Sequence, residues 1–261
     1  MKRSRKKADE IARDLLQSHA QDGINDVAVT SVLDTWRFAC NRKRQNVMAK
    51  GETFVHSDMM GLVCSRTGDV FVTKATRMYA NVMRLLCRWL TDNGPPVGRP
   101  FCFSSICVNS GFASALHRDA NNTSLSVTKA FGRFRGGSLL YWPDDDGAWP
   151  LENLREADAL KLDSSKGLVL FDGHRAHKVL PFQGHRYSLV FYTMSAYWKA
   201  SPATTEFLRG RGVPRHDALL CCGVPYEQKA LLRRTPDAER HRWVYLRRPA
   251  NLMGLAMRIL D

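Results

Sequence analysis

Two histidines and one aspartate in this chain have the types and spacing to share a metal ion. His117 and Asp119 stand two residues apart, and His177 follows His117 by sixty residues. On an extended segment residues i and i+2 face the same side, so His117 and Asp119 can reach one ion while Arg118 points away. Two imidazoles and a carboxylate form a 2-His-1-carboxylate facial triad, a donor set that holds Fe(II) on one face and leaves its other positions open. The fold must deliver the second histidine from a distance, and His177 lies between two strand-like runs, 167–171 and 179–182. Nine residues after His177, Arg186 opens the apolar run 187–192. Its guanidinium can take a carboxylate in a bidentate fork, and Ser188, facing the same way, can add a hydroxyl. These five groups suit a dicarboxylate with one end on the metal and the other on Arg186.

Other residues compete for places around this centre. His174 precedes His177 by three residues and faces the opposite side of a strand. His185 leaves no room for the Arg-x-Ser pair and reads as part of a turn, Gln183-Gly184-His185. Asn109 and Tyr141 lie on strand-like segments flanking the pocket, where either could hydrogen-bond a co-substrate. Arg118, Asn121 and Asn122 border the metal and are candidates for primary-substrate contact, with a tight turn the rival reading for the two asparagines. Arg175 either contacts substrate or caps a turn. The acidic run 144–146, framed by Pro143 and Gly147, reads as a solvated turn.

The order His-x-Asp, distant His, then Arg-x-Ser resembles the Fe(II)/2-oxoglutarate dioxygenases over residues 100–195, in His117, Asp119, His177, Arg186 and Ser188. The phrase His117-Arg118-Asp119-Ala120-Asn121-Asn122, with Gly136-Gly137-Ser138-Leu139 downstream, is most similar to the TET/JBP branch, which oxidises the methyl group of thymine or 5-methylcytosine. The resemblance implies an α+β chain with a mainly β core, a double-stranded β-helix of the jelly-roll or cupin-like type with N-terminal helices packed outside. It also implies Fe(II), 2-oxoglutarate and dioxygen as cofactor and co-substrates, and hydroxylation of a C–H bond. Prolyl hydroxylase-like and AlkB-like branches share the metal and co-substrate residues, and the same chemistry on a protein side chain or small molecule is the alternative reading. A barrel that binds without turnover is the alternative from another class.

The chain of 261 residues carries a formal net charge of +14 with a sequence pI of about 9.8. Such a balance favours a polyanionic partner, DNA or RNA. Part of it lies in a basic arm, Lys2, Arg3, Arg5, Lys6 and Lys7, read either as solvated or as a nuclear-targeting patch. Arg42, Lys43 and Arg44 read as a nucleic-acid contact or a solvated helix end. Seven cysteines without a Cys-x-x-Cys pair argue against structural zinc and for reduced thiols. With no secretory pattern and no apolar run long enough for a membrane span, the expected location is intracellular, cytoplasmic or nuclear.

Three segments follow: a basic tail and helical scaffold (1–99), a catalytic β core (100–195) and a helical, basic extension (196–261), together forming one globular unit. Helices are expected near 11–16, over 27–49 as a helix or a helix running into a basic loop, and at 76–91, where Met78, Val82, Leu85, Leu86 and Trp89 share a face. Short strands are expected at 61–64 and 70–72. From residue 101 the alternation predicts seven strands: 101–109, 124–131, 138–142, 157–162, 167–171, 177–181 and 186–194. Beyond them, helices are expected at 204–209 and 224–232, then a basic stretch with an aromatic cluster at 243–245.

Overall fold

The computed structural model describes residues 1–94, 101–214 and 243–244. The expected helix at 224–232 and the basic concentration at 233–248 lie outside the described residues, apart from Trp243 and Val244.

Two helices begin the chain. Helix α1 (Lys2–Ser18) buries Ala8 and Ala12, and α2 (Asp26–Thr35) starts where the Asn25 side chain accepts the Ala28 N–H at 2.9 Å, satisfying a donor the helix cannot pair itself. Strands β1 (Cys40–Asn41), β2 (Val55–Cys64) and β3 (Val70–Val72) follow. The helix expected at 76–91 is broken at Tyr79 into α3 (Lys74–Met78) and α4 (Ala80–Asn93). Asp9 of α1 sets the break: its carboxylate accepts from the Asn81 and Val82 N–H groups at 2.8 and 3.0 Å and so caps α4. Met78 is therefore exposed, while Val82, Leu85, Leu86 and Trp89 are buried.

All seven strands predicted from residue 101 are present: β4 (Ser105–Ser110), β5 (Ser126–Gly136), β6 (Leu139–Tyr141), β7 (Leu160–Leu162), β8 (Leu168–Phe171), β9 (His177–Val179) and β10 (Phe182–Tyr192). Helix α5 (Pro202–Arg209) opens on the Ser201 cap, and β11 (Trp243–Val244) pairs in parallel with β8. The larger sheet runs β1-β2-β4-β10-β5-β8-β11 with β3 on β2, and the smaller runs β7-β6-β9. Strand β2, longer than expected, pairs with β4, so residues before 100 supply strands as well as helices to the layered core.

Alternation along β10 shows how the layers divide. Leu189 and Phe191 join a cluster with Ala8, Val32, Leu85 and Trp89, so this face of the larger sheet carries the helices. Val190 packs with Leu139, Tyr141, Leu162, Val169 and Phe171, residues of both sheets, so the other face closes the barrel. This two-sheet arrangement, antiparallel apart from the β8–β11 pair, is the double-stranded β-helix, with helices outside.

The Gln183-Gly184-His185 segment is strand, not turn. β5 and β10 continue past the core as a ladder to Gly136↔Phe182. Gly132 and Gly184 make that possible: with φ of +104° and +101°, a Cβ on either would sit 2.3 Å from the carbonyl oxygen of the facing strand.

The basic arm is likewise not a free tail, since its residues form α1 and Arg5 is buried. Arg5 donates to Asp58 at 2.6 Å and lies over the Trp36 ring at 4.5 Å, while the same Asp58 oxygen accepts from Trp36 Nε1 at 2.9 Å. Breaking a buried pair strands the surviving charge. Asp58→Ala is expected to destabilise the protein by about 3–5 kcal/mol, against less than about 0.5 kcal/mol for the exposed Lys7→Ala; urea unfolding of both variants checks this.

Candidate metal centre

His177 begins β9 and His117 lies in the loop before β5. They are joined backbone to backbone: each N–H donates to the other's carbonyl at 3.0 Å. The Asp119 N–H donates to Gly173 O at 2.8 Å, docking the second half of the His-x-Asp segment on the β8–β9 turn. One donor atom from each of His117, Asp119 and His177 falls within 4.8 Å of the others.

The backbone also fixes the rings. Nδ1 of His117 lies 2.8 Å from Ala115 O and Nδ1 of His177 lies 2.8 Å from Arg175 O. With both Nδ1–H groups donating, each Nε2 is left as a lone-pair donor beside Asp119, at 3.7 Å for His117 and 3.9 Å for His177. Burial, and next the adjacent His177, push the His117 pKa down. The neutral ligand form is thereby favoured. Asn122 Nδ2 donates to Asp119 Oδ2, the oxygen nearer His177, at 3.1 Å. Gly173 completes the packing, because a Cβ there would meet Asn122 Nδ2 at 2.7 Å and Asp119 Oδ2 at 3.0 Å.

A clamp behind the ligands corrects one expectation. Asp145 is not a solvated turn residue; its side chain is 1% exposed and pairs with Arg118 through contacts of 2.7 and 2.6 Å. It also accepts the Ala176 N–H at 2.6 Å. One carboxylate thus holds the neighbour of His117 and the neighbour of His177. Arg118, a candidate for substrate contact, is held in this bridge with its side chain partly exposed. Arg175 is buried and donates to the Pro143 and Asp145 carbonyls, which is the turn-capping alternative. His174 bonds Asp172 outside the cluster. Asn122 is a buried support for Asp119, while Asn121 is exposed and offers its carbonyl to the Ser195 N–H at 2.8 Å.

Arg186 is 4% exposed and has no carboxylate partner among the described residues. Its Nε has no hydrogen-bond partner, and its guanidinium lies 5.5 Å from both the Phe134 and Phe182 rings. Burial pushes its pKa down to about 10, a sign of a cation held without a counter-charge. Ser188, two residues on, accepts from Asn109 Nδ2 at 3.2 Å. Asn109 in turn accepts from Arg44 Nη1 at 2.8 Å, and the same nitrogen lies 3.3 Å from Ser57 Oγ. Arg44 was hidden in the Arg42-Lys43-Arg44 run; unlike its exposed neighbours it turns inward, a direction periodicity does not encode. Tyr141 stands opposite His177 in the β6–β9 ladder, and its hydroxyl accepts the Asp172 N–H at 3.4 Å.

No protein-family model matches the chain, and none of the curated proteins does. Among solved structures it is similar to NgTET1 in complex with 5mC DNA, at 16% identity and a TM-score of 0.37 over 59% of this chain and 69% of that one. It is similar to a 2OG-Fe(II) oxygenase family oxidoreductase from Burkholderia pseudomallei, at 15% identity and a TM-score of 0.41 over 67% and 81%. A Pseudomonas putida prolyl-4-hydroxylase gives 15% and 0.34 over 70% and 86%. The likeness is one of fold. The site stands on its own geometry.

Asn122→Ala is expected to weaken divalent-metal binding about 10- to 100-fold with little change in unfolding midpoint, read by calorimetric titration. Asp145 adds a pH dependence. Burial alone would raise its pKa, but hydrogen bonds from Arg118, Ala176 and Gly147 hold it below the ordinary 3.8. Its contribution to stability is therefore full above that value and lost as pH falls through the lowered one. Acid unfolding of Asp145→Asn should show a shallower fall in this range than wild type.

Proposed function

We propose that this protein is an Fe(II)- and 2-oxoglutarate-dependent dioxygenase that hydroxylates a C–H bond. The observation that carries the reading is the buried Arg186 guanidinium without a counter-charge among the described residues, two residues from Ser188 on β10. Combined with the His117-Asp119-His177 donor set, it fits a dicarboxylate that is a metal ligand at one end and an ion-pair partner at the other.

His117, Asp119 and His177 would hold the metal through two neutral imidazole Nε2 atoms and one carboxylate oxygen, a set suited to Fe(II). Fe(II) supplies, when bound, the open positions at which 2-oxoglutarate and dioxygen react to oxidise a substrate C–H bond. The chain's own work is positional. Arg186 and Ser188 would take the distal carboxylate; the Arg44-Asn109-Ser188 line orients that hydroxyl. Tyr141 and Phe171 would wall the space beside His177, the first opposite it in the β6–β9 ladder and the second with its ring 5.0 Å from the imidazole.

We read the substrate as a base in nucleic acid. The net charge of +14 supports this, and so does the sequence similarity of the 117–122 phrase to the TET/JBP branch. A base in a duplex would have to leave the stack to reach the metal. No helix among the described residues is long and apolar enough to cross a membrane.

Succinate formation from 2-oxoglutarate by Fe(II)-loaded protein, with and without DNA containing 5-methylcytosine or thymine, tests both levels. The expected result is iron-dependent turnover that rises with DNA and falls at least about 100-fold in Arg186→Ala, the scale of losing a charge-assisted bond at a buried site. Turnover indifferent to DNA would move the substrate to a protein side chain or small molecule. No turnover in iron-loaded protein would leave a binding barrel.

A further inference from the structure

On the helical layer, three arginines have no carboxylate partner among the described residues. Arg77 closes α3, Arg84 lies on α4, and Arg211 follows α5. Each is anchored by one N–H to a backbone carbonyl: Arg77 Nε to Val72 O at 3.4 Å, Arg84 Nε to Gly210 O at 3.2 Å, and Arg211 Nη1 to Phe207 O at 2.9 Å. The Phe207 ring gathers two of them, with Arg211 Cζ at 3.4 Å from its centroid and Arg77 Cζ at 5.6 Å. Nε of Arg211 is buried without a hydrogen-bond partner. Burial, then the neighbouring Arg84 and Arg77, hold Arg211 below the usual arginine range, so the charges sit close enough to repel one another.

The positive surface continues past Arg84. A groove of about 600 Å³ is lined by Arg13, Asn81, Arg84, Arg88, Thr91 and Gly210, among others. Here Arg13 pairs with Asp14 and Arg88 with Asp92, so the net charge is concentrated at Arg84 and the Phe207 cluster. Arg84 lines this groove, while Arg77 and Arg211 lie on the Phe207 ring; guanidinium forks spread over a surface in this way, rather than gathered around one closed pocket, match a row of anions more than a single one.

We infer that Arg77, Arg84 and Arg211, with the adjoining groove, form a docking track for the phosphodiester backbone of a nucleic acid. The track is carried by residues remote in sequence from the metal cluster and binds phosphate whatever the barrel oxidises. Its side chains are preorganised by backbone acceptors, which lowers the ordering cost of each phosphate contact. Contacts of this kind position a duplex without reading its bases.

The test is fluorescence anisotropy of a labelled mixed-sequence duplex DNA with the full chain across a salt series. It compares wild type, Arg77→Gln/Arg84→Gln, and a control of equal charge loss, Arg133→Gln/Arg135→Gln, on the exposed end of β5. The expected result is that Arg77→Gln/Arg84→Gln loses about tenfold in affinity at low salt and its salt dependence becomes shallower by roughly one to two contacts, while the control changes much less. Arg77 and Arg84 are exposed, so an unchanged thermal midpoint is expected for their variant. Equal losses in the two variants would show diffuse attraction and overturn the track. So would unchanged binding in Arg77→Gln/Arg84→Gln.

Discussion

The site depends on the reciprocal hydrogen bonds between the backbones of His117 and His177. Those two bonds, each 3.0 Å, close a sixty-residue excursion that contains β5 to β8. They place both imidazoles on one side of a barrel wall. The Asp119–Gly173 bond then fixes the carboxylate relative to both. Because Nδ1 of each ring is held by a carbonyl two residues earlier in its own chain, the ligand atoms are preset by local backbone geometry. A metal meeting this arrangement has little conformational entropy left to remove.

Around that centre the molecule carries charge in two different ways. Asp145 satisfies Arg118 and the Ala176 N–H together and so converts a buried carboxylate into a brace behind the ligands. Arg186 is the opposite case. A buried cation without a partner costs several kcal/mol, and aromatic faces at 5.5 Å return only part of that. A buried guanidinium with no carboxylate partner among the described residues suits an anion from outside.

Much of this was legible in the sequence because period-two alternation survives in strands with one face on a helix layer and the other on a barrel interior. The seven strands after residue 101 and the five-residue site pattern follow from that alternation and from offsets of two. What escaped was set by contacts between distant segments. The break at Tyr79 comes from Asp9 capping α4, and the inward turn of Arg44 comes from Asn109, sixty-five residues later. Asp145 looked solvated because Pro-Asp-Asp-Asp-Gly is turn chemistry, which it is; the turn is folded against Arg118. Gly184 looked like a turn former and instead, with Gly132 opposite, allows two long strands to approach.

The central claim is that Arg186 and the metal triad together hold a 2-oxo dicarboxylate. It is tested most directly by calorimetric titration of 2-oxoglutarate and of 2-oxobutyrate, which lacks the distal carboxylate, into metal-loaded wild-type protein and Arg186→Gln. The account predicts a marked wild-type preference for 2-oxoglutarate that collapses in the variant while metal affinity is unchanged. Equal wild-type affinity for the two acids, or a preference that survives in Arg186→Gln, would contradict it.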